Sequence, residues 1–249
     1  MQLRKIPRCG MEVSAVGIGC NNFGNRSTVE ESKAVIERAL DIGITLFDTA
    51  DGYPLANRGA SETIIGETLG ARRKDIVLAT KFGIRFNDDM RGGASRAYIM
   101  RSVEASLTRL KTDWIDLYQL HIPDGTTPME ETLRALDDLV SQGKVRYIGN
   151  SNFTAWQMVD ADWTAKANGL SPFVSCQNEY SLLNREVDRE LLPAMAKYGL
   201  GFLPFFPLAS GLLTGKYRRG TNAPEGTRFN KTKMLGDRFM TDENWDTVE

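Results

Sequence analysis

Histidine is almost missing from this sequence. One residue, His121, stands among 249, so a metal centre built on several histidines is excluded within this chain and no metal is expected. Cysteine is scarce too. Cys9, Cys20 and Cys176 are odd in number and form no CxxC, which argues against a disulfide framework and for a reducing cytoplasm. Net charge is close to nil: 31 Lys and Arg stand against 32 Asp and Glu. That balance gives no electrostatic footprint for nucleic acid or an anionic membrane. No run approaches the roughly 18 apolar residues of a membrane span, and the opening MQLRKIPRCG has no apolar core of signal-peptide length. A GxSxG elbow is absent, and no serine or cysteine is evidently paired with the histidine.

What is present is a repeating pattern. Short apolar runs recur as VGIG (16–19), ITLFDTA (44–50), DIVLATKFG (75–83), WIDLYQLH (114–121), KVRYIGNSN (144–152), FVSCQNEYS (173–181) and LGFLPFF (200–206). Each is nearly continuous in apolar character, as a parallel strand buried on both faces requires. Helix-like stretches separate them: Val29, Ile36 and Leu40 fall on one face, as do Ile99, Val103, Leu107 and Leu110, and likewise Met129, Leu133, Leu136 and Val140. Thr28 with Glu31, and Thr127 with Glu130 around Pro128, read as capping boxes. Gly43, Gly70, Gly143, Gly169 and Gly199 sit where left-handed C-caps precede the next strand. The opening LRKIPRCGMEVSAV reads as a β-hairpin outside the main sheet.

Serial βα units build either an open doubly wound sheet or a closed barrel. The open sheet usually carries GxGxxG after its first strand. Here that position reads GIGCNNFG (17–24), with the wrong spacing and no immediate helix. The expectation is therefore a (β/α)8 TIM barrel, read as one domain over residues 1–249. Seven barrel strands are counted, so the eighth βα unit is expected to be missing. The segment after Tyr217 reads as polar and glycine-bearing, ending in TDENWDTVE, a helix start whose apolar face has no room to develop.

In such a barrel the active site lies at the carboxyl ends of the strands, and residues out of character with a buried strand gather there. They are Asp48 and Tyr53, Lys81, His121, Ser151 and Asn152, Gln177 and Glu179, and Phe205 and Phe206. A phenol beside an ammonium is pushed toward phenolate, so Lys81 is expected to make Tyr53 a better proton shuttle near neutrality. Asp48 would hold Lys81, and His121 would orient a carbonyl oxygen. This set can polarise C=O and deliver a proton, but it holds no electron source, so a hydride must come from a cofactor. Each residue also has a structural reading: Asp48 as a turn residue, Tyr53 as a loop aromatic, His121 as a core residue, Ser151 and Asn152 as caps. Their coincidence at one mouth favours chemistry.

The chain carries FDTADGY (47–53), ATKFG (79–83), DLYQLHIPD (116–124), RYIGNSNF (146–153), QNEYSLLNR (177–185) and PLASGLLTGKY (207–217). With these motifs it resembles the aldo-keto reductase family over essentially its whole length. The resemblance implies a catalytic tetrad of Asp48, Tyr53, Lys81 and His121, with Tyr53 as general acid. It implies that Ser151, Asn152 and Gln177 hold a nicotinamide carboxamide beside Asp48. Phe205 stands where the family stacks a tyrosine, and Leu208, Ser210 and Leu212 fall where its loop meets the pyrophosphate. NADP(H) is the implied cofactor, with NAD(H) left open because the segment that reads the adenosine phosphate is not in view. The implied partner is a small carbonyl compound, on a monomer or weak homo-oligomer, and Phe23, Tyr53 and Phe82 suggest an apolar rim for it. Two other readings compete. Lys81 could form a Schiff base as in an aldolase, which needs a lowered lysine pKa. The chain could also be a cofactor-binding regulatory subunit resembling the potassium-channel β subunits of the same family.

Overall fold

A computed structural model describes residues 1–85 and 93–249. Strands β1 (Leu3–Lys5) and β2 (Glu12–Ser14) pair antiparallel as the expected hairpin. Then strand and helix alternate: β3 (Gly17–Gly19), α1 (Val29–Asp41), β4 (Leu46–Asp48), α2 (Ala60–Leu69), β5 (Val77–Phe82), α3 (Arg96–Leu110), β6 (Ile115–Leu120) and α4 (Met129–Ser141). The series continues with β7 (Val145–Ser151), α5 (Ala155–Asn168), β8 (Ser175–Glu179), α6 (Leu191–Tyr198) and β9 (Gly201–Phe205), then three short helices, α7 (Arg228–Lys231), α8 (Lys233–Phe239) and α9 (Asp242–Val248). The seven strands β3 to β9 form one parallel sheet in chain order.

That sheet is curled into a βα barrel. Gln177 on β8 donates to Asp48 on β4 at 3.1 Å, although four strand spacings in a flat sheet would separate them by about 19 Å. Strand periodicity then sorts the interior into two layers. Leu46, Ala79 and Leu117 meet Ile6, Met11 and Val13 of the hairpin in an apolar cluster at the amino end, so the hairpin plugs that end. Two residues further along the same strands stand Asp48, Lys81 and Gln119, the polar layer at the carboxyl end. The intervening residues, among them Phe47, Leu78, Phe82, Tyr118 and Ile148, pack outward against Ile36, Ile65, Ile99, Val103, Leu133 and Leu136 of the helices.

Several local expectations need correction. Thr28 and Glu31 do close a capping box on α1, but Val29 is exposed, and the buried face is Ser32, Ile36 and Ala39. Thr127 caps nothing: its hydroxyl donates to Asp124 at 2.7 Å, and Pro128 occupies the N-cap of α4 without a side-chain bond. Asp124 also gathers Arg85, Thr126 and the Ala94 amide, and this acceptor outcompetes the local cap. Gly70 has φ 48 and ψ −126 and leads into a 3-10 turn, Gly70–Asp75, rather than directly into a strand. Phe82 is fully buried against Tyr118, with ring centroids 4.6 Å apart, and belongs to the helix-side core instead of a rim. The tail is better developed than its spacing suggests. Thr241 caps α9 as expected, and Trp245 is buried with Leu212, Tyr217, Phe229, Leu235 and Phe239 in a cluster of its own.

Helices α2 and α3 approach so closely that a Cβ on Gly66 would lie 2.4 Å from the Arg109 carbonyl oxygen and 2.5 Å from the Leu110 carbonyl carbon. Backbone cannot give way as a side-chain tip can. Gly66→Ala is expected to lower stability by about 1–3 kcal/mol despite alanine's better helix propensity; an unchanged or raised denaturation midpoint would show that the helix pair slides apart without cost.

Candidate active site

The tetrad assembles at the carboxyl end of the barrel. Lys81 is fully buried on β5, where its strand direction leaves Nζ inside the barrel. It donates to Asp48 Oδ2 at 2.5 Å and to the Thr49 carbonyl at 2.9 Å, leaving one of three ammonium donors. Its Nζ lies 5.3 Å from the centre of the Tyr53 ring. Tyr53, in the loop after β4, has its hydroxyl 3.3 Å from His121 Nε2, and the two rings meet edge to face at 5.5 Å. His121 follows β6 and is tied to β5 by its amide, which donates to the Phe82 carbonyl.

The electrostatics separate these groups. Burial pulls His121 down to about 3, with the Lys81 charge acting the same way, so the imidazole is neutral. Burial alone would also pull Lys81 down, but Asp48 and Tyr53 more than offset it, and the ammonium titrates above its ordinary value. A Schiff-base nucleophile requires the opposite shift, so the aldolase reading fails. Tyr53 departs from the sequence-based expectation. Burial pushes its phenol up, Lys81 opposes this without winning, and the Asp48 and Asp51 charges add to the rise. The phenol is therefore held protonated at neutral pH, the form a proton donor needs.

Of the residues expected to meet a cofactor, Ser151, Asn152 and Gln177 are knitted into the same mouth. Ser151 Oγ donates to the Gln177 carbonyl at 2.8 Å, and Asn152 Nδ2 to the His121 carbonyl at 3.0 Å. Asn152 has φ 59, a left-handed conformation tolerated by asparagine. Gln177 Nε2 is engaged by Asp48 Oδ1. Phe205 ends β9, edge-on to Phe206 at 5.4 Å. Beyond it Ala209, Ser210 and Gly211 all have positive φ. Ser210 Oγ is buried without a partner. Leu208 is exposed, whereas the Leu212 side chain is packed in the core. Glu179 is taken by an ion pair with Arg238 and lies outside the tetrad's bonds.

Gln119 and Arg228 are among the side chains here that the sequence did not single out. Gln119, fully buried on β6, donates to Asp48 Oδ1 at 3.1 Å beside Gln177, so both carboxylate oxygens are held. An uncharged amide inside an apolar strand was the available signal. Arg228 lies over the Phe206 ring at 5.2 Å with Nε buried and unpartnered; nothing in its polar surroundings marked it out. Among the described residues no group of three or more potential ligands is placed to hold a metal ion, and no helix is long and apolar enough to cross a membrane. The three cysteines are free thiols.

A curled parallel βα sheet thus gathers Asp48, Lys81, Tyr53 and His121 at its carboxyl end. The model of the Aldo/keto reductase family matches residues 15–248, and the chain belongs to that family. It is 42% identical to the uncharacterized oxidoreductase YrpG of Bacillus subtilis (strain 168), over 94% of this chain and 74% of that protein. It is 40% identical to a probable voltage-gated potassium channel subunit beta of Oryza sativa subsp. japonica, over 98% of this chain and 75% of the relative. Identity to L-glyceraldehyde 3-phosphate reductase of Escherichia coli (strain K12) is 34%, over 100% of this chain and 74% of that enzyme. The protein is an oxidoreductase of the aldo/keto reductase type.

Proposed function

We propose that the protein reduces an aldehyde or ketone to an alcohol, and runs the reverse oxidation, with NADP(H) as hydride carrier and Tyr53 as proton donor. The observation that carries this reading is the Tyr53 hydroxyl beside neutral His121 and above a buried ammonium. The carbonyl oxygen would sit against Tyr53 and His121. Tyr53 gives its proton to that oxygen as charge develops there, and Lys81, itself held by Asp48, stabilises the phenolate left behind. When bound, the dinucleotide supplies the hydride that none of these side chains can.

The residues present fit such a group. Ser210 Oγ and Arg228 Nε are buried polar atoms lacking partners, suited to phosphate oxygens. Phe205 offers a ring face for stacking. Asn152 and Gln177 use their amide donors within the protein, which leaves their carbonyl oxygens for a carboxamide NH2. The free thiols are in keeping with a cytoplasmic setting.

Screening carbonyl compounds for substrate-dependent NADPH oxidation tests the reading, and pH refines it. His121 is the only histidine, so its ring signals in NMR are unambiguous. With a folded value of about 3, they are expected to stay put between about pH 5 and 8. The unfolded chain takes up that proton near 6.5, so this residue withdraws stability as pH falls from about 6.5 toward 3. A titration midpoint near 6.5 in the folded protein would remove neutral His121 from the scheme.

A further inference from the structure

Two residues before Tyr53, Asp51 makes contacts that the chemistry above does not use. Its amide donates to the Lys81 carbonyl at 2.9 Å. Its Oδ2 accepts from Tyr98 at 3.0 Å and from Ser102 at 3.1 Å, one turn apart on α3. Its Oδ1 is shut away from solvent with no partner at all. No cation is bonded to this carboxylate among the described residues: Arg109, the nearby guanidinium on α3, is already committed to buried Glu62 of α2 at 2.7 Å. Glu62 in turn accepts from Thr80, next to Lys81, at 2.6 Å. Tyr118 of β6 faces the same region with an unpartnered hydroxyl. The charge of Arg58, in the Tyr53 loop, also acts on Tyr98.

We propose that Asp51 is a positioning residue for Tyr53: its carboxylate clasps the loop bearing the acid to α3 through Tyr98 and Ser102, and the clasp loosens on protonation. The inference rests on reading Tyr53 as the proton donor. A carboxylate collecting two hydroxyls on one oxygen makes charge-assisted bonds, and a neutral carboxyl makes weaker ones. The Asp51 carboxylate ties the loop between β4 and α2 to α3 two residues before Tyr53, so the clasp bears on where the phenol stands. Burial first, then the Glu62 charge, push Asp51 from the ordinary 3.8 up to about 6, despite the two hydroxyls and Arg109. The change of state therefore falls near pH 6. Neutral His121 contributes no competing titration there.

The test uses Asp51→Asn, which keeps an acceptor but imitates the protonated state, and Asp51→Leu, which removes the clasp. Wild-type kcat is expected to fall through an acid limb centred near pH 6, with KM little changed. Asp51→Asn should be flat across that range, at the level of the wild-type acid plateau. Asp51→Leu should lose kcat by at least about tenfold, the scale of a misplaced catalytic group. Should Asp51→Leu fail to fold, Tyr98→Phe with Ser102→Ala removes the same donors and should show the same loss. A limb near pH 6 that persists in Asp51→Asn, or full kcat in the clasp-deleted variants, overturns the proposal.

Thermal denaturation tests the protonation step without turnover. A raised folded value means that this carboxyl withdraws stability as pH rises from about 4 through about 6. The Tm of Asp51→Asn relative to wild type should therefore climb between about pH 4.5 and 7.5, and a constant difference overturns acid sensitivity. If wild type turns over no carbonyl compound, the proposed function fails, while the Tm comparison still decides whether the clasp titrates.

Discussion

Replacing Tyr53 with phenylalanine is expected to cut carbonyl reduction at least about a hundredfold, the scale of lost general-acid catalysis. The ring, its edge contact with His121 and its place over Lys81 survive the change, so the fold and the dinucleotide pocket should be undisturbed. The loss should fall on kcat, with NADPH binding, followed by fluorescence titration, nearly unchanged. Because the wild-type phenol is held protonated by its burial, the wild-type rate of reduction should hold through neutral and mildly alkaline pH. The reverse oxidation needs the phenolate and should climb as pH rises. Near-wild-type turnover in Tyr53→Phe would remove the residue from the reaction.

Lys81→Met should be more damaging still, because it acts on activity and stability together. The substitution deletes the cation that steadies the Tyr53 phenolate and leaves Asp48 with only the Gln119 and Gln177 amides. Breaking a buried ion pair by removing one partner costs about 3–5 kcal/mol. The two amides, and the partial exposure of Asp48 at 19%, put the expected cost near the lower end, about 3 kcal/mol. Activity should fall below that of Tyr53→Phe, and a denaturation series should show the lowered midpoint. A stable Lys81→Met protein with the wild-type pH profile would mean that Lys81 does not serve Tyr53.

That Asp48 and Lys81 stand out in the sequence has a physical cause. A lysine inside LATKFG or an aspartate closing ITLFD is conspicuous because buried charge is costly and seldom tolerated without a partner. The βα repeat was legible for a related reason: strands buried on both faces need apolar runs, and glycine follows α4 and α5 with φ 74 at Gly143 and φ 64 at Gly169. Gln119 escaped because a neutral amide barely disturbs the pattern of DLYQLH, and only the curled sheet brings it to Asp48 across 71 residues. Asp51 escaped for a different reason. Asp51-Gly52 reads as an ordinary turn, and its partners on α3 lie 47 and 51 residues away. The direction of the Tyr53 shift was misjudged because a sequence can place Lys81 near the phenol but cannot weigh that charge against burial. In the tail, Phe229, Leu235, Phe239 and Trp245 are spaced without a helical period, so their shared cluster was invisible until the short helices α7 to α9 folded them together.

Following deuterium tests the central claim most directly. The protein would be given an aldehyde and NADPH doubly deuterated at the nicotinamide C4, and the alcohol examined by mass spectrometry and NMR. Hydride transfer within this mouth predicts one deuteron on the former carbonyl carbon for each NADPH oxidised, and a solvent-derived proton on the oxygen. Alcohol lacking deuterium at that carbon, or NADPH oxidised without alcohol formed, would contradict carbonyl reduction by direct hydride transfer.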